Sequence, residues 1–155
     1  MKKIGLLGGS FNPVHNAHLA LAQTALNTLS LDEVQLIPAG NPWQKQALVV
    51  SGQQRLDMLG LAIANHPSMV INDIEITREG ATYTIDTLKA LPTNACYYWL
   101  LGTDQLANFC TWYKWEDILN HVILVVAQRS SHPFDVPRPL TEKLQQKGKK
   151  LITLS

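Results

Sequence analysis

The sequence has few cysteines, no long apolar run and almost no excess charge, and each shortage argues against a class of protein. Its two cysteines, Cys96 and Cys110, form neither a spaced disulfide framework nor a C-x-x-C motif, which predicts reduced, buried thiols in a cytoplasmic protein. No run approaches the roughly 20 apolar residues of a membrane span. The apolar stretch after Lys3 ends at Leu7, which is too short for a signal-peptide core. The net charge of +1 argues against binding nucleic acid by neutralising many phosphates.

What remains is typical of one globular domain over residues 1–155. A chain of 155 residues is long enough to bury a hydrophobic core. Hydrophobic residues make up 46% and charged residues 16%, and no internal repeat or low-complexity tract is present, which argues against collagen, coiled coil and disorder. A small anionic ligand stays compatible with this charge, because a few local donors can bind it.

Short apolar runs alternate with helical patterns along the chain. The predicted strands are 3–9, 33–40, 69–76, 96–102 and 121–129, with the beginning of a sixth at 149–155. The predicted helices are 17–29, 53–65 and 82–91, the last with Thr82 as its N-cap, and 129–140 is a proline-rich loop. Alternation of this kind predicts an α/β fold, a Rossmann-like doubly wound parallel sheet of five to six strands with helices on both faces.

The stretch GGSFNPVHNAH, directly after the first predicted strand, carries the strongest chemical signal. Ligands of such sheets bind beyond the carboxyl ends of the strands. Gly8 and Gly9 permit a tight turn and a close backbone approach, and the following helix offers unpaired N–H groups to an anion. Ser10 adds a hydroxyl, while His15 and His18 share one face at the helix entry, where both can donate to phosphate oxygens. The stretch predicts a cradle for a triphosphate.

The stretch is open to other interpretations. A glycine pair after a strand is also compatible with a plain turn. A zinc site would need at least three protein ligands, and no cysteine or third histidine stands at suitable local spacing beside His15 and His18. The stretch contains neither a P-loop nor the G-x-G-x-x-G dinucleotide fingerprint, which disfavours a dehydrogenase.

GGSFNPVHNAH resembles the first nucleotide-binding motif of the nucleotidyltransferase superfamily, which has a glycine pair, Ser or Thr, Phe, Asp or Asn, Pro, and two spaced histidine positions. Within that superfamily the chain resembles the bacterial nicotinate-nucleotide adenylyltransferases. Three further stretches carry the closer similarity: LIPAGNPWQK (36–45), TYTIDTL (82–88) and LLGTDQLANFCTWYKWEDIL (100–119). The resemblance implies transfer of AMP from ATP to nicotinate mononucleotide in NAD biosynthesis, with release of pyrophosphate.

The resemblance also implies roles for the residues at matching positions. Those for ATP are Gly8, Gly9, Ser10, Phe11, His15, His18, Gly102 and Asp104, with His15 and His18 as the catalytic pair and Asp104 at the adenosine ribose. Those for nicotinate mononucleotide are Lys45, Thr84, Trp112 and Tyr113. Lys45 matches a basic residue near phosphate, whereas Thr84, Trp112 and Tyr113 match positions around the nicotinate ring and its carboxylate, where an aromatic plane can stack on the pyridine ring. Mg²⁺ is implied only as an ion bound through the ATP phosphates, without a protein ligand. Judged without the resemblance, Trp112, Tyr113 and Trp115 fit a hydrophobic core better.

Two departures from the family pattern bear on activity. Ala17 stands where the family has a glycine between the two histidines. The family's second nucleotide motif, an Ile-Ser-Ser-Thr-x-x-Arg-like stretch near the C-terminus, has no counterpart before Ser155. The sequence therefore predicts a C-terminally truncated copy of the domain with weak or no activity, since that motif begins a helix that holds the outer phosphates of ATP.

Two alternatives to this function remain at the level of the sequence. One is a phosphopantetheine adenylyltransferase, against which the Trp112-Tyr113 region and TYTIDTL both speak. The other is a catalytically impaired nucleotide-binding fragment. The expected partners are the two small-molecule substrates, without nucleic acid or membrane, and the chain is compatible with a homo-oligomer.

Overall fold

A computed structural model of the chain describes residues 1–11, 14–40, 51–78, 82–128 and 133–155. These residues form a six-stranded sheet flanked by helices. Strands β1 to β6 are Lys2–Gly9, Glu33–Pro38, Met69–Ile71, Ala95–Gly102, Val122–Ala127 and Ile152–Leu154. Helices α1 to α7 are Asn16–Leu29, Gly52–Ala62, Ile74–Thr77, Thr84–Ala90, Thr103–Ala107, Trp115–Ile118 and Arg138–Lys147. A 3-10 helix, Phe109–Thr111, lies between α5 and α6.

The strands lie in the order β3-β2-β1-β4-β5-β6, and every neighbouring pair is parallel. The chain moves outward from β1 to β3 and then returns to the other side of β1 at β4, so the direction of winding reverses between these two central strands. Parallel neighbours need crossovers long enough to hold a helix, which is why helices alternate with strands. The predicted doubly wound α/β sheet is confirmed, with six strands.

A separate hydrophobic cluster covers each face of the sheet. On one face α1 and α2 contribute Ala22 and Leu59, whereas on the other face α4 contributes Leu88. Alternate side chains of a strand point to opposite faces, so Leu6 and Leu7 of β1 belong to different clusters. Both faces of the parallel sheet are thus covered, as its near-continuous apolar strands require.

The two central strands part at their carboxyl ends. β1 pairs with β2 as far as Gly9, and β4 pairs with β5 as far as Gly102. The pairing of β1 with β4, however, ends at Leu6 and Trp99. The last residues of β1 and β4 therefore diverge and open a crevice at the reversal of strand order, which is where open α/β sheets bind their ligands.

The strand predicted over 69–76 is wrong after Ile71, where a short helix follows instead. The side chain of Asn72 accepts a hydrogen bond from the Ile74 N–H at 3.1 Å, which turns the chain into α3. Asn72 also donates through its own amide to the Gln35 side chain at 3.0 Å. A local side-chain bond thus overrides the strand propensity of the apolar residues that follow.

Two further boundary predictions are corrected. Thr82 is not an N-cap, because α4 begins at Thr84 with Tyr83 as its N-cap. The segment 129–140 is not a loop throughout, because α7 begins at Arg138 with a proline in its first turn, where the missing N–H costs nothing. Within the parts of the chain described above, no helix combines the length and apolarity that crossing a membrane requires.

Candidate active site

The predicted phosphate-binding turn comprises Gly8 to Phe11, at the end of β1 and ahead of α1 in the chain. Ser10 is exposed, whereas Phe11 is buried in the cluster beneath α1. The backbone of Phe11 has a φ of 47°, in the left-handed region that residues other than glycine rarely adopt. The buried ring lies edge-on to the His18 ring, with 4.8 Å between their centroids. Phe11 thereby anchors the turn in the core and leaves Ser10 at the surface.

The two predicted catalytic histidines lie side by side at the start of α1. His15 is the N-cap residue, and its ring stacks on that of His18 with centroids 5.4 Å apart and planes 20° apart. Nδ1 of His18 accepts a hydrogen bond from the backbone N–H of His15 at 2.9 Å. Because Nδ1 is an acceptor, neutral His18 carries its proton on Nε2. His18 therefore offers an oriented N–H donor.

The surroundings of His18 favour its neutral form. Burial lowers the pKa of His18, and the neighbouring His15 lowers it further. The ring is therefore uncharged near pH 7 and has one N–H, at Nε2, to donate to a ligand. In the described residues neither His15 nor His18 forms an ion pair with a carboxylate, so no acidic side chain there competes for this donor.

Arg55 lies behind the turn, and the sequence interpretation did not single it out. Its side chain is 1% exposed. Nη1 donates to the carbonyl oxygens of Ser10 at 2.8 Å and Ala39 at 2.7 Å, which ties together the segments that leave β1 and β2. The signal that could have revealed Arg55 is its four-residue spacing to Leu59 and Ile63, which puts it on the apolar face of the predicted helix.

A cleft of about 650 Å³ opens beside α1 at the carboxyl ends of β4, β5 and β6, a volume suited to a small ligand. Two of the residues predicted to bind ATP, Gly102 and Asp104, line this cleft, and so does Ala17. A Cβ added to Gly102 would meet no atom within 4 Å, and its φ of −83° suits any residue. Neither packing nor backbone conformation demands a glycine there, and the missing side chain leaves room for a ligand.

A group of aromatic residues, called here the aromatic set, consists of Tyr83, Trp99, Phe109, Trp112 and Tyr113. Trp112 lies 5.0 Å from Phe109 and 6.3 Å from Trp99 between ring centroids. Trp99 reaches the predicted phosphate-binding turn, because a Cβ added to Gly8 would come within 3.1 Å of its indole ring. The predicted nicotinate residue Trp112 is thus connected to the turn through one buried indole.

The outer part of the aromatic set faces solvent. Tyr113 is 51% exposed and Tyr83 is 39% exposed, and their ring centroids lie 4.6 Å apart. Tyr83 directly precedes Thr84 in the first turn of α4, so the elements that carry Thr84 and Tyr113 meet here. The core interpretation is wrong for Tyr113, whereas Trp112 and Trp115 are half-buried against the cluster under α4.

One predicted site residue, Lys45, lies outside the described residues. Gly8, Gly9, Ser10, Phe11, His15 and His18 come together at one end of the crevice, and Gly102 and Asp104 line the cleft beside it. Thr84, Trp112 and Tyr113 lie apart from that cleft lining, on the side of the aromatic set. Among the described residues, no group of three or more His, Cys, Asp or Glu side chains is arranged to hold a metal ion.

Sequence comparison assigns the chain to a known family of proteins. Residues 6–151 match the cytidylyltransferase-like family model. Over 154 residues the chain is 56% identical to a Bordetella petrii protein described as "Probable nicotinate-nucleotide adenylyltransferase", covering 99% of this chain and 79% of the relative. The chain belongs to the nicotinate-nucleotide adenylyltransferase family. A Neisseria meningitidis relative described in the same words is 40% identical over 144 residues, covering 90% of this chain and 73% of the relative. The resemblance predicted from the motifs is confirmed.

Solved structures show the same fold as this nicotinate-nucleotide adenylyltransferase family member. A Plasmodium falciparum nicotinic acid mononucleotide adenylyltransferase complexed with NaAD superposes with a TM-score of 0.77 at 22% identity, covering 99% of this chain and 76% of that chain. The same enzyme complexed with APC gives a TM-score of 0.71 at 21% identity, covering 99% and 75%. At these identities the likeness establishes the Rossmann-like fold alone.

Proposed function

We propose that this chain transfers the adenylyl group of ATP to nicotinate mononucleotide, which yields nicotinate adenine dinucleotide and pyrophosphate. The single observation that carries the proposal is a juxtaposition: an anion-binding turn with an oriented His18 donor and a partly exposed aromatic set meet through Trp99 at one crevice. A triphosphate needs the first feature, and a pyridine ring needs the second. The 56% identity to the Bordetella petrii relative supports the same assignment.

ATP occupies the turn and the cleft in this proposal. Backbone and hydroxyl groups from Gly8 to Phe11 contact the phosphates, together with His15 and His18. Gly102 and Asp104 hold the adenosine, because the Asp104 carboxylate is exposed in the cleft and can accept from ribose hydroxyls. The open space at Gly102 lets the nucleoside approach the backbone closely.

Nicotinate mononucleotide occupies the side of the aromatic set. Trp112 and Tyr113 offer planar surfaces to the pyridine ring, and Thr84 offers donors for its carboxylate. Lys45 is proposed as a phosphate contact because of its position in the family motif. The half-exposed Tyr113 ring supports this arrangement, since a large aromatic side chain gains little stability for the folded chain when it stays in water.

The proposed reaction is a direct in-line displacement at the α-phosphorus of ATP. An oxygen of the mononucleotide phosphate forms the new P–O bond while the bond to pyrophosphate breaks, with no covalent enzyme intermediate. The attacking phosphate is already ionised near neutral pH, so catalysis depends on positioning and charge stabilisation rather than on a strong base. His18 supplies a donor from Nε2 to the charge that builds up on the phosphate oxygens, with His15 beside it.

ATP enters the proposed reaction as its Mg²⁺ complex, with the ion held by phosphate oxygens and water. The described side chains of the turn supply a hydroxyl and two imidazoles, whereas Mg²⁺ prefers carboxylate oxygens in proteins. No step is assigned to a protein-bound metal. Cys96 and Cys110 are both free thiols, which supports a cytoplasmic location, but each is half-buried rather than buried as the sequence predicted.

The test measures acceptor choice. The purified chain is incubated with Mg²⁺-ATP and either nicotinate mononucleotide or phosphopantetheine, and dinucleotide and pyrophosphate are quantified by chromatography and a coupled assay. The Bordetella petrii relative, which is longer than this chain, is run in parallel as the positive control. We expect nicotinate adenine dinucleotide and pyrophosphate in equal amounts with the first acceptor, but at a rate well below that of the relative, because the family's second nucleotide motif has no counterpart before Ser155. Turnover with phosphopantetheine alone, or with neither acceptor, would contradict the proposal.

A further inference from the structure

Arg55 is a buried cation whose hydrogen-bonding capacity is only partly used by the described residues. Its Nη1 donates to two carbonyl oxygens, whereas Nε and Nη2 are buried without a hydrogen-bond partner among those residues. No described carboxylate forms an ion pair with it. Burial of the guanidinium lowers the pKa of Arg55, but arginine is basic enough that the side chain stays charged at neutral pH. An arginine kept in such a place needs an explanation beyond packing.

The two carbonyls that Arg55 holds follow neighbouring strands. Ser10 comes directly after β1 and Ala39 directly after β2, and the Ala39 N–H also donates to the Gly9 carbonyl at 2.8 Å. Nη1 of Arg55 therefore fixes the distance between the segments that follow β1 and β2, at the carboxyl ends of the strands where the turn lies.

The contact with Ser10 also orients the next peptide N–H. In a trans peptide the C=O and the N–H point in opposite directions, so a Ser10 carbonyl held toward Arg55 directs the Phe11 N–H away from it. Phe11 adopts a φ of 47°, which is unfavourable for a phenylalanine and must be held by its surroundings. Among the described contacts, the burial of the Phe11 ring and the bond from Arg55 to the Ser10 carbonyl both hold this conformation.

The charge of Arg55 acts in the same place. A cation in a buried site is screened less than one in water, so its attraction for an anion bound at the turn is stronger than that of a surface arginine. Among the described residues, no carboxylate pairs with this charge. The turn thus combines an oriented N–H with a positive charge behind it.

We propose that Arg55 is a positioning residue for the nucleoside triphosphate, which orients the Ser10–Phe11 peptide toward the phosphates and supplies a buried positive charge behind them. Arg55 contacts no substrate in this scheme and acts through the turn. The identification of the ligand as ATP rests on the function proposed above, whereas the role of Arg55 requires only that the turn bind a polyphosphate.

The test compares Arg55→Gln and Arg55→Lys with Arg138→Gln, an exposed matched control whose side chain is 89% exposed and pairs with Glu142. Binding of ATP and of adenosine is measured by calorimetry, and folding is checked by melting temperature and circular dichroism. We expect Arg55→Gln to weaken ATP binding at least tenfold while adenosine binding changes less than twofold. Arg55→Lys, which keeps the charge, should recover part of the loss, and Arg138→Gln should match the unmodified protein.

An equal loss for ATP and adenosine, or no loss for either in folded variants, would overturn the proposal. A measurement on the unmodified protein keeps it testable if the variants do not fold. In ¹⁵N-labelled protein, saturation with inorganic tripolyphosphate should shift the Phe11 amide and the Arg55 Nε–H resonances, and two unmoved resonances would overturn it. Tripolyphosphate binding without any turnover of nicotinate mononucleotide would refute the proposed function and leave this role of Arg55 standing.

Discussion

The predicted phosphate-binding turn and the aromatic set lie at the same crevice but are held in different ways. The turn is fixed by directional hydrogen bonds, from the His15 N–H to His18 and from Arg55 to the Ser10 carbonyl. Among the described residues the side chains of the aromatic set are held by packing and ring contacts, including Lys114 Nζ at 5.3 Å from the Tyr113 ring centroid, and Tyr113 is 51% exposed. The geometry of the turn therefore depends on individual hydrogen bonds, whereas that of the aromatic set depends on how its rings pack.

This difference matches the two tasks proposed for the site. Charge that builds up during a phosphoryl-type transfer is stabilised only by donors already aimed at it, because their strength depends steeply on direction. A pyridine ring can be bound by any suitably placed flat apolar surface. We therefore expect changes in the turn to reduce turnover, and changes in the aromatic set to weaken the binding of one substrate.

The largest effect is expected for His18→Ala. Loss of a donor to the developing charge should lower kcat about a hundredfold or more. Loss of the bond from the His15 N–H should lower the melting temperature by only about 2–4 °C. The control is His121→Ala. This histidine lies just before β5, at the amino ends of the strands and therefore at the opposite end from the site. Turnover within about threefold of the unmodified protein, in folded His18→Ala, would remove His18 from the mechanism.

An intermediate effect with a different kinetic signature is expected for Tyr113→Ala. Removal of a ring from one substrate's binding surface should raise KM for nicotinate mononucleotide about tenfold and leave KM for ATP within about twofold. Tyr113→Phe keeps the ring and should behave like the unmodified protein. Asp104→Ala should show the opposite bias, toward ATP. Equal changes of both constants in Tyr113→Ala would indicate a folding defect and erase the contrast between the two regions.

A smaller effect is expected for Gly102→Ala, which tests the cleft next to the turn. The added methyl meets no protein atom within 4 Å, so stability should hardly change, while KM for ATP should rise about fivefold because nucleoside space is filled. The matched control is Gly40→Ala, whose Cβ would lie 2.6 Å from the Glu75 carbonyl oxygen. That variant should lose about 1–3 kcal/mol of stability. Gly102→Ala with unchanged ATP kinetics would place the adenosine elsewhere.

The smallest effect concerns pH. The pKa of His18 is lowered in the folded protein, so below its ordinary value the unfolded chain binds more protons at this position. As the pH falls through the ordinary histidine pKa toward the lowered pKa of His18, the His18 side chain therefore reduces the stability of the folded protein more and more. Thermal melts between about pH 7 and about pH 5 should therefore show a smaller decline for His18→Ala than for the unmodified protein. Parallel curves would contradict the lowered pKa.

Sequence patterns predicted the sheet because its strands are short apolar runs closed by polar or turn residues. The turn was found for a similar reason, since its glycines, Ser10 and two histidines are contiguous and each has a local chemical meaning. The end of β3 was missed because a single Asn72 side-chain bond decides it. Arg55 was missed because its partners, Ser10 and Ala39, are backbone atoms 45 and 16 residues away. Such contacts exist only after the strands align.

The most direct test of the account is an experimental structure of the chain with nicotinate mononucleotide and an ATP analogue that cannot be cleaved between its α- and β-phosphates. The account predicts a phosphate oxygen within about 3.2 Å of His18 Nε2. It also predicts the pyridine ring against Trp112 and Tyr113, and the adenosine beside Gly102 and Asp104. Phosphates bound away from the turn, with His18 Nε2 facing solvent, would contradict its central claim.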